Sequence, residues 1–249
     1  MLGDLFVERG YAGARVTAVL PPVASQMRLV QWPNRRWPED PERMLQLNEA
    51  ELGLRIALQY LDLHLVDLAQ DPPSSLLVTV PSSTLDRWIE VFTLAQLGLD
   101  RMEAAKPCIC RGILPLELPA DDTAPTVVLQ VEPQRCSLMV MENGIPSYER
   151  RLPGASQADQ LLADLQRWRQ FWGALRSGTS AGLQLLLHGS ALRDAAHAAE
   201  LAGAVGCSWQ LLDPLAQGWL VDVSPDFGPH PEGHALALLW GLAAAEVMA

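Results

Sequence analysis

The sequence predicts an α/β protein with two cores, the first of them incomplete, and a stretch of mixed α+β character within the first half. Three observations carry this. Residues 126–150 read as three strands in a meander, and helix and strand then alternate to the C-terminus. The first hundred residues show the same alternation without a meander before it. Between them, Pro115–Pro125 (PLELPADDTAP) is rich in proline and acid and reads as a linker.

The chain opens in a helix, with Leu2, Leu5 and Phe6 on one face and Gly10 or Gly13 to stop it. Arg15–Leu20 reads as a strand ended by Pro21-Pro22, and Met27–Trp32 as a second. Asp40 caps a helix with Pro41 at its first position. Leu47, Ala50, Leu54 and Leu58 carry that helix to about Gln59. Period two then sets in over Tyr60–Leu68, with Leu61, Leu63 and Leu65 facing one way and Asp62 and His64 the other. Gln70–Ser75 is a turn, and Leu76–Val80 is a short, apolar strand of the kind buried on both faces. Ser83 and Asp86 form a box-like cap for a helix whose apolar face is Leu85, Trp88, Ile89 and Phe92, ended by Gly98. Leu99–Ala104 is a further strand, and Pro107–Leu114 returns the chain to the first core.

The second half is cleaner. Strands over Thr126–Val131, Cys136–Met141 and Ile145–Arg150 form the meander, with Asn143-Gly144 as the hairpin turn. A helix from Ser156 places Leu161, Leu165, Trp168 and Trp172 on one face. Gly173–Gly182 is a loop and Leu183–Leu187 a buried strand. Ser190–Ala204, with Ser190 as cap, is a helix and Trp209–Leu212 a strand. Gln217–Gly233 is irregular, and His234–Val247 closes the chain as a helix. Three meandering strands followed by α-β-α-β-α make the ribonuclease-H-like unit, nearly whole in the second half and lacking its meander in the first.

Composition narrows the function. With 249 residues, 49% of them hydrophobic, the chain can bury real cores. A net charge of −11 argues against non-specific binding to nucleic acid or anionic headgroups. Arg35-Arg36, Arg150-Arg151 and Arg167/Arg169/Arg176 are too short to be polybasic tracts. Cys108, Cys110, Cys136 and Cys207 lack metal spacing and read as reduced, buried thiols. The N-terminus MLGDLFVERG lacks a signal-peptide pattern, and the longest apolar run, Ala235–Ala249, is broken by Glu246 and falls short of the roughly 20 residues of a span. These features predict a soluble, cytoplasmic chain with no metal site.

The ordered pieces VTAVLPP, LLVTVPSSTLDRWIEVFTLAQLGL, VVLQVEPQRCSLMVMENGIPSYERRLPG, LQLLLHGSALRD and ALALLWGLAAA resemble the PilM family of type IV pilus assembly proteins. These are actin-like and related in fold to FtsA. The resemblance implies residues 1–24 and 100–118 as a truncated first ribonuclease-H-like core, 25–99 as the family's inserted subdomain, and 125–249 as the second core. It also implies a partner: the cytoplasmic N-terminal tail of PilN, docked in a channel beside the inserted subdomain. Val16 and Val19, within Val16–Leu20, would line one wall, and Arg28, Gln31 and Trp32 with the adjoining helix the other. Pilus assembly ATPases and a second copy of the chain are further expected partners. Localisation would be cytoplasmic, peripheral to the inner membrane and reaching it only through the partner.

Departures from the family's phosphate chemistry are pronounced. Intact members carry an Asp and a Gly in the second hairpin turn, which hold magnesium and admit the phosphates. Gln130 falls on that Asp and Glu132 on that Gly, with Pro133 next; a one-residue slip would instead put Glu132 near the Asp position, with the Gly still missing from the turn. Gln is a poor magnesium ligand. Glu132 brings an anion to the phosphate's place, and like charges about 4 Å apart at an effective dielectric near 20 repel by roughly 4 kcal/mol. Pro133 removes a backbone donor. The adenosine-contacting Gly-Gly turn reads His188-Gly189, and the first phosphate hairpin, expected before residue 1, is not in the sequence. The expectation is therefore a non-enzymatic adaptor with no catalytic residues and no cofactor. The alternatives are an actin-like ATPase or kinase-type nucleotide binder, and the cytoplasmic part of a type II secretion L-type protein.

Other constellations read as structural. His230 and His234 sit four apart, but Pro231 and Gly233 argue against a helical metal pair. His188 beside Ser190 lacks a nucleophile elbow. Trp32 and Trp37 flank a basic, proline-bearing loop, either a peptide-gripping surface or the cover of a core edge.

Overall fold

The meander of the second half organises its sheet: β6 (Thr126–Gln130), β7 (Arg135–Glu142) and β8 (Ile145–Pro153) pair antiparallel in sequence order. Asn143 and Gly144 both take positive φ, as a two-residue hairpin turn requires. The computed structural model describes residues 2–68, 71–113, 116, 124–175, 182–219 and 233–247. The chain forms two compact units, Met1–Pro107 and Cys108–Ala249.

In the second unit, β9 (Gln184–His188) pairs parallel to β6, and β10 (Ser208–Leu211) parallel to β9. The order is β10-β9-β6-β7-β8, the arrangement expected of a ribonuclease-H-like unit. Two parallel crossovers place α5 (Ala158–Leu175) and α6 (Ala195–Val205) between strands. Leu161, Leu165, Trp168 and Trp172, spaced to share one helical face, enter a core with Val127, Leu129, Leu138 and Leu187. Each such side chain contributes roughly 1.5–3 kcal/mol on burial. Burial also pushes the Cys136 and Cys207 thiols up to about 11, so both stay protonated and poorly reactive at neutral pH.

The first unit holds two sheets. β1 (Arg15–Leu20) pairs parallel with β5 (Gly98–Ala104). Its counterpart in the second unit, β9, lies between two strands, whereas β1 has a strand on one side only among the described residues. The first core is incomplete in that sense. The second sheet is antiparallel, ordered β2-β4-β3, from β2 (Gln26–Gln31), β3 (Leu61–Leu68) and β4 (Ser74–Pro81). β4 is central and buried along nearly its whole length. Val30, Trp32, Leu45, Leu58 and Leu77 form this sheet's core.

Several boundaries differ from the sequence reading, each for a local reason. α2 spans Pro41–Leu47, not Pro41 to Gln59. Asp40 caps it as expected, accepting from the Arg43 N–H at 2.9 Å, but Asn48 closes it by bonding back to the Met44 carbonyl. A 3-10 turn over Glu49–Leu52 follows and ends at Gly53, whose φ of +59° breaks the helical run. α3 (Ser82–Leu94) receives no side-chain cap from Ser83. It ends at Ala95 with Gln96 in the left-handed region, so Gly98 opens β5 instead of closing the helix. Of its expected apolar face only Phe92 is buried, and Ile89 is exposed. Residues 107–113 of the expected Pro107–Leu114 segment belong to a helix, α4 (Ala105–Ile113), entered from Ala105 without a break after β5. α6 starts at Ala195, capped by Asp194, which accepts from the His197 N–H at 2.8 Å; Ser190 is not its cap. Ahead of α2 in the chain, α1 (Leu2–Glu8) buries none of its residues. The last helix, α7 (Ala237–Val247), follows a 3-10 turn over Gly233–Leu236.

Candidate functional site

Two features bear on function, one in each unit. In the second, β6 and β9 run side by side with Gln130 opposite His188, so the β6–β7 turn and the turn after β9 meet. The backbone fixes the meeting. Val131 donates to the His188 carbonyl at 2.7 Å, and Ala191 donates to the Val131 carbonyl at 3.1 Å. Gly189 lies between them with φ +121°, and a Cβ there would stand 2.3 Å from the Val131 oxygen. Only glycine fits this approach.

The tip of the β6–β7 turn is held from the other side. The Glu132 carbonyl accepts from Ala155 N–H at 2.9 Å, and the Pro133 carbonyl accepts from the Ser156 N–H at 3.1 Å and its hydroxyl at 2.7 Å. A Cβ on Gly154 would stand 2.2 Å from the Pro133 oxygen. The turn therefore presents carbonyls, already engaged, toward the start of α5.

Glu132's carboxylate turns toward the β9 side. Its Oε1 accepts from Gln130 Nε2 at 3.1 Å and from the Ser190 N–H at 3.4 Å, while Oε2 accepts from the Ser190 hydroxyl. Ser137 Oγ donates to Gln130 Oε1 at 3.4 Å. Gln130, Glu132, His188 and Gly189 thus come together, with Pro133 at the tip. His188 is fully buried; burial, then repulsion from His234, pulls its pKa down to about 3 and keeps the ring neutral. His234 Nδ1 lies 3.0 Å from the Gly189 carbonyl. His230 and most of the Gly173–Gly182 loop lie outside the described residues. Among the described residues no three His, Cys, Asp or Glu side chains gather as a metal site. Sequence reasoning missed Ser190 as Glu132's partner, and His234 as Gly189's.

The first unit carries a groove of about 460 Å³ along β2. Arg28, Gln31 and Trp32 line it, facing Met44, Asn48, Glu51 and Leu52 from α2 and the turn after it. Val16 and Val19 are not among its lining residues; both lie half-buried on β1. The Trp32 ring is buried against Leu45, Leu58 and Leu77, and its indole N–H donates to Ser75 Oγ at 2.9 Å. It forms floor, while Trp37 is exposed.

β2 is an edge strand, with β4 on one side and no strand on the other among the described residues. The phase of its ladder follows from one bond: Trp32 N–H donates to the Pro73 carbonyl at 3.1 Å. In an antiparallel pair these bonds alternate, so Gln26, Arg28 and Val30 spend their backbone groups on β4. Met27, Leu29 and Gln31 turn theirs to the open edge. Consistent with that, the Arg28 guanidinium covers the Met27 carbonyl at 3.2 Å.

No protein-family model matches the chain, and no curated protein matches it. Solved structures do. The chain is similar to one in the PilM-PilN type IV pilus biogenesis complex, at 18% identity and a TM-score of 0.72, covering 99% of this chain and 83% of that one. It is also similar to a Bacteroides thetaiotaomicron protein with an actin-like ATPase fold and unknown function, at 11% identity and a TM-score of 0.52, over 97% and 79% of the two chains. The cytoplasmic domain of EpsL, an inner membrane component of the Vibrio cholerae type II secretion system, aligns at 12% identity and a TM-score of 0.49, over 98% and 79%. The chain has the actin-like fold, in a form like that of the pilus biogenesis complex.

Proposed function

We propose that this chain is a non-enzymatic adaptor of type IV pilus assembly that binds the extended cytoplasmic tail of a PilN-like inner-membrane protein. The observation that carries the reading is the open edge of β2 beside an apolar-floored groove, on a fold like that of a chain of the PilM-PilN type IV pilus biogenesis complex. A tail added as a strand would pair with Met27, Leu29 and Gln31, and its alternate side chains would enter the groove. The backbone bonds supply affinity; the lining residues select among sequences. The adaptor sits in the cytoplasm and meets the membrane through its partner. No helix among the described residues is long and apolar enough to cross a membrane.

The absence of catalysis is the second half of the proposal. Its support is chemical: by the resemblance Gln130 falls at the magnesium-binding carboxylate's position, where a neutral amide is a poor ligand, and Pro133 lacks the N–H a phosphate would use. Calorimetric titration with the tail peptide of a PilN-like protein from the same genome tests the first half. Binding in the micromolar range is expected, and none at high micromolar peptide ends the reading. Thermal unfolding in magnesium ATP tests the second: the midpoint should stay where magnesium alone leaves it.

A further inference from the structure

We propose that Glu132 is a resident anion, whose carboxylate fills an oxyanion site formed by the Ser190 N–H, the Ser190 hydroxyl and the Gln130 side-chain amide, and so ties the β6–β7 turn to the turn after β9. Three donors converge on one carboxylate. The Ser190 N–H lies between two neighbours whose own N–H groups are committed elsewhere, Gly189 to the His234 carbonyl and Ala191 to the Val131 carbonyl. Ser190 is thereby aimed at Glu132 by its flanks. The carboxylate is anchored in turn, because the Glu132 carbonyl accepts from Ala155, and Gln130 is steadied by Ser137. Such an arrangement suits a small oxyanion, carboxylate or phosphate. Tethering also solves a problem of the whole chain: at a net charge of −11 a free anion is repelled, whereas a covalently attached one is present at high effective concentration.

This tie deepens the non-enzymatic reading, and the two fail separately. Magnesium ATP added to the wild type tests the reading; inorganic phosphate and acetate added to variants test the tie. Glu132→Ala should lower the melting temperature by roughly 3–6 °C. Phosphate or acetate should restore part of that loss beyond what sodium chloride does at equal ionic strength, and should leave the wild type where chloride leaves it. Glu132→Ser, which vacates the carboxylate's place while keeping a polar side chain in the turn, covers the case in which alanine does not fold. In nitrogen-15 spectra of that variant the Ser190 amide should move with added phosphate, and in the wild type it should stay. An unchanged melting temperature in Glu132→Ala overturns the tie. So does a variant that no oxyanion rescues or shifts, or a wild-type Ser190 amide that moves with phosphate as far as the variant's does.

Discussion

His188 shows how a single residue sets a stability limit. Its ring titrates near pH 3 in the folded chain against 6.5 when exposed, because burial penalises the charged form and His234 adds repulsion. The unfolded chain therefore binds the extra proton first. Stability is full above about pH 6.5 and is lost as pH falls from there toward 3, by at most about 1.4 kcal/mol per pH unit for this one group. Urea unfolding of the wild type and His188→Leu at pH 7, 6 and 5 checks it: the gap between the two should change in that direction, and parallel profiles would sink the assignment. Next to it, Gly189→Ala would need a Cβ 2.3 Å from the Val131 oxygen at a φ of +121°. A cost of about 2 kcal/mol or more in unfolding free energy is expected. At this scale the position of Gln130, Glu132 and Pro133 at the end of β6 and in its turn was legible in the sequence, since a turn between two patterned strands has few possible registers. Ser190 was not, because its partner lies 58 positions away, and a serine three to five residues ahead of a helix looks like a cap. Val16 and Val19 were placed on the groove by resemblance alone, and nothing in a strand's own pattern tells which neighbour it will face.

Elements were legible where a period ran unbroken. The strands of the meander, α5 and the largely apolar, buried β4 all fall within a few residues of their expected limits, because burial on one or both faces demands an uninterrupted pattern. Boundaries failed where one residue in an unusual conformation stopped a helix. Gly53 and Gln96 take positive φ, and Asn48 folds its amide onto the preceding turn, outcomes that apolar spacing does not encode. The glycines of α4 and α7 hold a different kind of information. A Cβ on Gly241 would stand 1.8 Å from the Cys108 carbonyl oxygen, and one on Gly112 would meet the Trp240 ring at 3.4 Å, so the helices touch backbone to backbone. Arg111 Nε spans the same contact, donating to the Gly241 carbonyl at 3.1 Å. Gly241→Ala must push the helices apart and should cost about 2–4 kcal/mol, read by denaturant unfolding, whereas Gly203→Ala, with open space around it, should cost nothing or add slightly to stability. On β2 the alternation of ladder bonds makes Leu29→Pro informative. It removes an outward N–H and no bond to β4, so the melting temperature should hold within a few degrees while affinity for the tail peptide falls at least about tenfold. Equal affinity in the variant would show that the tail does not add as a strand there.

For the whole molecule, the order of elements was more legible than any motif. A meander followed by alternating helix and strand permits few right-handed, uncrossed arrangements, and the order β10-β9-β6-β7-β8 is one of them. The same logic exposes the first unit's incompleteness, since among the described residues β1 has a strand on one side only, where β9 has two. Charge is the other property belonging to the chain as a whole. Inside the groove Arg28 and Glu51 offset one another, so local pairs supply little net attraction for a basic tail. The field of the acidic body supplies it instead, at long range, where salt screens it: the Debye length falls from about 10 Å at 0.1 M salt to about 3 Å at 1 M. Steering by a distant field acts on encounter, and strand pairing in the groove acts on residence. Stopped-flow or surface kinetics with a tail peptide bearing Arg or Lys should therefore show the association rate falling about tenfold or more between 50 and 500 mM salt, with dissociation nearly constant. A dissociation rate that climbs with salt while association stays flat would instead place the attraction in short-range ion pairs, with Glu51 the first candidate, and Glu51→Gln would then reproduce the effect of salt.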